Sequence, residues 1–392
     1  MQDVYIVSAV RTPVGRRNGY LRNRMVPEVF GSVLNAAVDR IDLDPGMVND
    51  VICGTVYQVG EQASTLARSG IFASKLPDTV PGVTLNRQCG SSLAAIQMAY
   101  GMIASNTMDV IIAGGCEVMT KYPIMCDFDG VLPDGRPQGS PIGDYFIQRL
   151  KGRVYNQAQA AQAIAEKWGI TKKECDVFAL KSHEKASYAA ESGYFKKEIL
   201  LTAGVDNAGN KIVVGKDETI RPDTTLEKLA TLKPVLDTDW ITAGISSAVS
   251  DGASAVILMS EARVKELKLI PLARIVSNVV IGSDPVYMLT GPMEATPMAL
   301  QKAGLSMDDI DLFEVNEAFA PIPLAWAKEL NAPMEKLNVC GGAIALGHPV
   351  GSSGCRLSVT AIYELIRRSA KFALVTLCTG AGMAPATIFE RV

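Results

Sequence analysis

The chain has 392 residues, 48% apolar and 20% charged, enough to bury one large core or two of ordinary size. Lys and Arg number 38 against 41 acidic residues, so the net charge of -3 offers no global attraction for nucleic acid or an anionic membrane surface, and an anionic ligand must be met locally. No apolar run approaches the ~20 residues that span a bilayer. The eight cysteines contain no Cys-x-x-Cys pair and have only two histidines to join them, which argues against a zinc site or a disulfide framework.

Val4–Ala9 reads as the first strand, without the basic start and long apolar stretch of a signal peptide. Glu390-Arg391-Val392 is no peroxisomal address, so a reducing cytoplasmic compartment is expected. A helix through Phe30–Val38, a strand at Val51–Gly54, a helix after Cys89 and a strand at Val110–Gly115 follow. Much of that order returns as strand Ala273–Val279, helix Glu294–Ala303, strand Leu312–Val315, helix Gly354–Arg368 and strand Phe372–Cys378. Asn49–Ile52 resembles Asp308–Asp311, and Leu85-Asn86 and Leu337-Asn338 each precede a Gly-rich turn. The pattern predicts an α/β protein with an internal repeat of roughly 110–120 residues, too long for a solenoid unit. Two stacked α/β halves are expected, one from residues 1–119 plus 248–270 and one from residues 271–392.

Residues 120–247 differ in character. They open on a run of turn residues that includes Pro123, Asp127, Asp129, Gly130, Pro133, Asp134 and Gly135, then carry helices at Ala158–Trp168 and Glu174–Ser192 and several lysines. Such an insertion on one face of a two-half scaffold is a candidate ligand-binding domain.

Three Gly-rich segments carry the chemistry. In Asn86-Arg87-Gln88-Cys89-Gly90-Ser91-Ser92, a turn delivers a thiol to a helix N-terminus, where the macrodipole and free N–H groups favour thiolate and can lower its pKa from about 8.5 towards ~7. In Gly341-Gly342-Ala343-Ile344-Ala345-Leu346-Gly347-His348-Pro349-Val350-Gly351-Ser352-Ser353-Gly354, an imidazole suited to proton transfer sits among glycines that let backbone approach a ligand. In Leu377-Cys378-Thr379-Gly380-Ala381-Gly382-Met383, a second thiol ends a strand. The repeat brings the Cys89 turn and the His348 loop together across a pseudo-twofold axis, with Cys378 on the same rim. Taken singly, each could be a packed structural residue. His183, on the polar side of its helix, reads as a solvated surface histidine, and most other Cys and Met residues as core filler.

Together with Asn316-Glu317-Ala318-Phe319, these segments resemble the thiolase family, in order and across the whole chain. The resemblance implies a five-layer α-β-α-β-α fold with an inserted loop domain, and an acyl-CoA C-acyltransferase working by a ping-pong mechanism without metal or cofactor, coenzyme A being substrate and product. It implies that Cys89 carries the acyl group with help from His348, and that Cys378 removes or returns the α-proton of acetyl-CoA. It also implies two oxyanion sites, the N–H groups of Cys89 and Gly380 for one, and His348 with a water on Asn316 for the other. Thiolate is suited to this role because it is both nucleophile and leaving group.

By the same resemblance, the insertion binds coenzyme A, Thr242-Ala243-Gly244-Ile245-Ser246-Ser247 meets pantetheine through Ala243 and Ser247, and Ala318, Phe319, Met288 and Gln157 line the acyl side. Arg221 and Lys228 are candidates for the nucleotide phosphates. Where short-chain acetoacetyl-CoA thiolases carry Tyr-His-Met-Gly, this chain has Tyr155-Asn156-Gln157-Ala158, which with Gly60-Glu61-Gln62 looks more like degradative thiolases that accept bulky chains. The block Cys126–Tyr145 falls where thiolases place a subunit-tethering loop, so a homodimer or homotetramer is expected. The alternatives are a short-chain acetoacetyl-CoA thiolase, a ketoacyl-synthase or hydroxymethylglutaryl-CoA synthase type of condensing enzyme, a silent acyl-CoA-binding subunit and a Cys-His hydrolase. Cys378 and the Asn316–Phe319 stretch favour thiolase over the other condensing enzymes.

Overall fold

The computed structural model describes residues 2–128 and 130–392; Met1 and Asp129, the latter one of the turn residues of the excursion, lie outside the described residues. The chain opens with β1 (Val4–Arg11), β2 (Gly15–Arg16), α1 (Val26–Asp39), β3 (Asp50–Gly54), α2 (Leu66–Phe72), β4 (Gly82–Leu85), α3 (Ser91–Ala104) and β5 (Val110–Val118). An excursion then holds α4 (Asp144–Arg149), α5 (Gln157–Lys167), α6 (Lys172–Glu191), the hairpin β6 (Thr202–Val205) and β7 (Lys211–Val214), and α7 (Leu226–Ala230). The rest is β8 (Ser250–Ser260), α8 (Glu261–Glu266), β9 (Ala273–Gly282), α9 (Gly291–Ala303), β10 (Leu312–Val315), α10 (Pro321–Leu330), α11 (Ala343–Leu346), α12 (Ser353–Arg368), β11 (Phe372–Thr376) and β12 (Met383–Glu390).

The repeat is visible in the sheet order, β10-β11-β12-β9-β1-β8-β5-β3-β4. On one side β3 runs parallel to β5, β5 antiparallel to β8 and β8 antiparallel to β1. On the other, β10, β11, β12 and β9 repeat those senses. Among the described residues the two half-sheets are joined by two residue pairs, Tyr5↔Arg274 and Ile6↔Ala273.

Side-chain alternation along the strands builds the layers, because successive residues point to opposite faces. On β5, Val110 and Ile112 face an outer core with α1 and α2, whereas Ile111 and Ala113 face an inner core with Leu93 and Ile96 of α3 and Leu357 and Ile362 of α12. On β10 and β11, Phe313 and Leu374 face a third core with α9 and α10, while Leu312, Ala373 and Val375 face the same inner one. The result is five layers with α3 and α12 in the centre. In the third core Trp326 is fully buried, donates to Thr296 Oγ1 at 2.9 Å and meets Phe313 edge-on; replacing it with Ala would cost about 3–5 kcal/mol.

The register of the repeat differs from the expected Asn49–Asp308 correspondence. Asn49 Oδ1 accepts from the N–H groups of Asp109 and Val110 at the start of β5. The residue that does this for β11 is Asp311, whose Oδ2 accepts from Lys371 and Phe372. Similar acidic runs thus misalign by three positions, because the conserved physical task is capping the parallel neighbour strand.

Within the excursion, α5 and α6 start at capping boxes, Asn156 with Gln159 and Thr171 with Glu174, which satisfy end N–H groups. Their apolar faces, including Ala161, Ile164, Cys175 and Phe178, pack into the same core as α10. No helix among the described residues is long and apolar enough to cross a membrane.

Candidate active site

Cys89 lies just before α3, with 6% of its surface exposed. The left-handed residue that makes its turn is Gln88, at φ 48°, while Gly90 has an ordinary φ of -90°. Gly90 serves close approach instead: a Cβ there would stand 2.8 Å from Pro385 Cγ and 2.9 Å from Thr379 Cγ2, so it lets the Cys89 turn press against the Cys378 turn. The expected lowering of the Cys89 pKa is not what this setting does. Burial pushes the thiol up to about 11, although the N–H groups of Gly380 and of Cys89 itself pull it down. At neutral pH the thiol is protonated, and its reaction requires a base.

His348 is positioned from both ends of its ring. Nδ1 lies 2.6 Å from Ser353 Oγ, and Ser353 gives its own hydroxyl proton to the carbonyl of Pro349 at 2.8 Å. Ser353 is therefore the acceptor, the imidazole proton sits on Nδ1, and Nε2 is left with its lone pair. Asn316 Nδ2 faces Nε2 at 3.3 Å. The backbone N–H of His348 donates to Ser250 Oγ at 3.2 Å. Burial, and after it the charge of Arg356, hold the imidazole down at about 3, so the resting ring is neutral and Nε2 keeps its lone pair. Among the described residues Asn316 Oδ1 is buried without a hydrogen-bond partner, which suits it to hold a water.

Cys378 stands between β11 and β12, 1% exposed, in a turn whose Ala381 and Gly382 are left-handed. Burial, and then the neighbouring Cys89, push its thiol well up. Cys89 is thus close enough to act on the ionisation of Cys378. Gln157, the first residue of α5, brings its Nε2 to 3.3 Å from where a Cβ on Gly380 would be, so the insertion reaches the thiols.

Behind these groups, Glu117 at the end of β5 ties the two halves. It accepts from the N–H groups of Val56 at 2.8 Å, Tyr57 at 3.2 Å and Gly351 at 3.0 Å, and from Gln62 Nε2 at 2.6 Å. The His348 loop is thereby fixed to the strand end beneath Cys89. A Cβ on Gly354 would also fall 2.5 Å from Leu93 N, so the starts of α3 and α12 touch through backbone.

The substrate-side candidates form a second group. Ser247 N–H donates to Ala318 O at 2.9 Å and Ala320 N–H to Ile245 O at 2.8 Å, while Ser246 bridges Phe319. The Ala243–Ser247 stretch therefore lies antiparallel against Ala318–Phe319. Met288, at φ 38°, packs on the core that contains Phe319 and Cys378.

Arg221 and Lys228 lie apart, on the exposed surface of the insertion. Lys228 Nζ is held by Asp223 Oδ2 at 2.6 Å. His183 is not the solvated residue expected. It is 1% exposed, and its Nδ1 accepts the backbone N–H of Arg221 at 3.2 Å. The helix periodicity could not show a partner loop 38 residues away. Nothing local in the sequence marks Ser353 or Glu117: Ser353 falls inside the Gly-rich His348 segment, and Glu117 is near the end of an apolar strand.

Comparison with known proteins agrees with this geometry. Residues 4–262 match the family described as Thiolase, N-terminal domain, and residues 269–391 match Thiolase, C-terminal domain. The chain is 41% identical over 396 residues to a steroid 3-ketoacyl-CoA thiolase, FadA6, of Mycobacterium tuberculosis (100% of this chain, 95% of the relative). It is 41% identical over 403 residues to a 3-ketoacyl-CoA thiolase of Klebsiella pneumoniae (100% of each). The crystal structures of human mitochondrial 3-ketoacyl-CoA thiolase and Bacillus anthracis acetyl-CoA acetyltransferase each superpose with a TM-score of 0.91 at 38% identity, covering 100% of this chain and 99% of theirs. With both domains matched in order, the chain belongs to the thiolase family of acyl-CoA acyltransferases.

Proposed function

We propose that this thiolase works through an acyl thioester on Cys89, with His348 as its base and Cys378 as the acid-base group at the substrate α-carbon. The reading is supported by packing: Gly90 presses the Cys89 turn against Thr379, next to Cys378; Val350, two residues from His348, shares a cluster with Cys89; and Asn316 Nδ2 faces His348 Nε2 at 3.3 Å. In the cleavage direction His348 Nε2 takes the Cys89 proton and the sulfur attacks the 3-keto carbon. The resulting oxyanion faces the N–H groups of Cys89 and Gly380. The bond between the α-carbon and that carbon then breaks, its electron pair passes into the thioester enolate, and Cys378 delivers a proton to the α-carbon. The enolate oxygen meets His348 Nε2–H and a water on Asn316; one such preorganised donor is worth about 2.7–4 kcal/mol in the transition state. Coenzyme A then attacks the thioester, its thiol proton passing to the thiolate left on Cys378, and Cys89 leaves as a thiolate that takes back the proton held by His348.

The inserted segment binds coenzyme A in this reading, with Ala243 and Ser247 along the pantetheine, Ala318, Phe319, Met288 and Gln157 around the acyl part, and Arg221 at the phosphates. Lys228 can join them only by leaving Asp223. A longer or bulkier acyl chain is the favoured substrate. Asn156 is used up as the cap of α5 and as a donor to Leu236 O at 3.0 Å, leaving Gln157 alone to reach the thiols. The steroid 3-ketoacyl-CoA name of one relative supports the same choice. The working unit is a homodimer or homotetramer, and the compartment is the cytoplasm. Thiolysis rates across 3-ketoacyl-CoAs of increasing bulk test the substrate: kcat/KM should rise from acetoacetyl-CoA to the bulkier donors, and a maximum at acetoacetyl-CoA would instead establish the short-chain reading.

A further inference from the structure

Two consecutive residues of α6 face different parts of the molecule. Ser182 donates to Glu317 Oε2 at 2.7 Å and accepts the N–H of Gly342 at 3.0 Å, which anchors α6 to the loops carrying Asn316 and His348. Its neighbour His183 points to the segment after β7 and accepts the backbone N–H of Arg221. The carbonyl of that same arginine is taken by Thr224, through its N–H at 3.2 Å and its Oγ1 at 2.8 Å. Arg221 is thus clamped at both backbone polar groups while its side chain is exposed.

The chemistry of the imidazole sets what the guanidinium can do. Burial, and after it the charge of Arg221, hold His183 down at about 4, so the ring is neutral. Because Nδ1 accepts, its proton is on Nε2. Arg221 Nη2, 3.5 Å from Nε2, therefore meets a donor and finds no acceptor in the ring. Among the described residues Arg221 makes no ion pair, whereas the adjacent Lys228 is tied to Asp223. A fixed backbone, a neutral buried support and an unpaired outward cation together form a preorganised anchor for an anion, of the kind that gains affinity by losing less entropy on binding.

We propose that His183 is a positioning residue for coenzyme A: by holding the backbone of Arg221 it aims the guanidinium at the phosphates of the nucleotide end, some distance from the reacting atoms. The inference rests on the reading of Arg221 as a phosphate ligand. His183 touches neither substrate nor thiol, so its effect is on binding of the nucleotide part and not on the chemical step.

The test measures transfer from acylated enzyme to coenzyme A and to pantetheine, which lacks the nucleotide phosphates, in the full-length protein. His183→Ala should raise KM for coenzyme A by about tenfold, with kcat within about twofold and KM for pantetheine unchanged. His183→Gln, whose side-chain oxygen can accept the same N–H, should restore KM. Arg221→Gln examines the underlying reading. If it raises KM for coenzyme A and His183→Ala does not, the inference fails while that reading stands. If Arg221→Gln leaves KM unchanged, both fail. An equal loss with both thiols would assign His183 a purely structural role and overturn the proposal. Should His183→Ala not fold, Thr224→Val removes the shorter of the two bonds on the other side of the clamp, the one from Oγ1; a rise in KM confined to coenzyme A supports the proposal, and no rise overturns it.

Discussion

Ser353 accepts the Nδ1 proton of His348 at 2.6 Å because its own proton is committed to the carbonyl of Pro349. That single hydroxyl decides that the nitrogen facing Asn316 is the one with the lone pair. Ser353→Ala should therefore leave the fold intact, at a cost of about 1 kcal/mol, but lower kcat by roughly 10- to 100-fold, as the ring loses both its orientation and its tautomer. Steady-state thiolysis beside a thermal melt separates the two effects. A variant with unchanged kcat would show that Nε2 is presented by other means.

The two thiols should fail differently. Cys89→Ala should abolish transfer of label from acyl-CoA to protein. Cys378→Ala should still accept an acyl group, because that step needs only a nucleophile and His348, yet lose carbon–carbon bond cleavage and formation by at least about 10²-fold. Single-turnover acylation and overall turnover, measured side by side, check the division. Retained turnover in either variant would mean that the roles are wrong.

Glu117 accepts five hydrogen bonds, from Thr55, Val56, Tyr57, Gln62 and Gly351, and spans from the Cys89 half to the His348 loop. Glu117→Gln replaces one acceptor with an NH2 group facing N–H donors. It should cost about 1–3 kcal/mol of stability and reduce kcat more than it raises KM, since the pairing of Cys89 with His348 loosens. Denaturant titration and steady-state kinetics read both.

Acid should unfold the protein partly through its histidines. His183 and His348 are held at about 4 and about 3, below the 6.5 of a free imidazole. The unfolded chain then binds their protons first, and stability falls as pH drops from about 6.5 to 4. Buried Glu117 and Asp251, raised to about 7 and about 6, act in the opposite sense over part of that range. The comparison of His183→Gln with the parent isolates one histidine: between pH 7 and 5 the parent should lose roughly 1–2 kcal/mol more than the variant. Equal losses would show that His183 is not buried neutral.

The sequence made legible what depends on local punctuation. Cys89, His348 and Cys378 stand out because each sits in a Gly-rich turn where backbone must come close, and Gly90 and Gly354 do lie at such approaches. The alternating strands were legible for a similar reason, since one side-chain period marks both faces of a layer. Strand β12 was not, because Pro385 inside it reads as a breaker, although it pairs with Val280. Long-range partners left no trace: His183 looked solvated because Arg221 is remote in sequence, and the Asn49 correspondence slipped because acidic residues of different function look alike. The thiol pKa was misjudged for a physical reason. A helix N-terminus acts locally, but the burial of Cys89 comes from five packed layers and outweighs it.

Intact-protein mass spectrometry after brief exposure to acyl-CoA, followed by peptide mapping, tests the central claim that Cys89 carries the acyl group. The expected result is one acyl adduct on the peptide containing Cys89, present also in Cys378→Ala and removed by coenzyme A. An adduct on another residue, or none with any acyl donor, would contradict it.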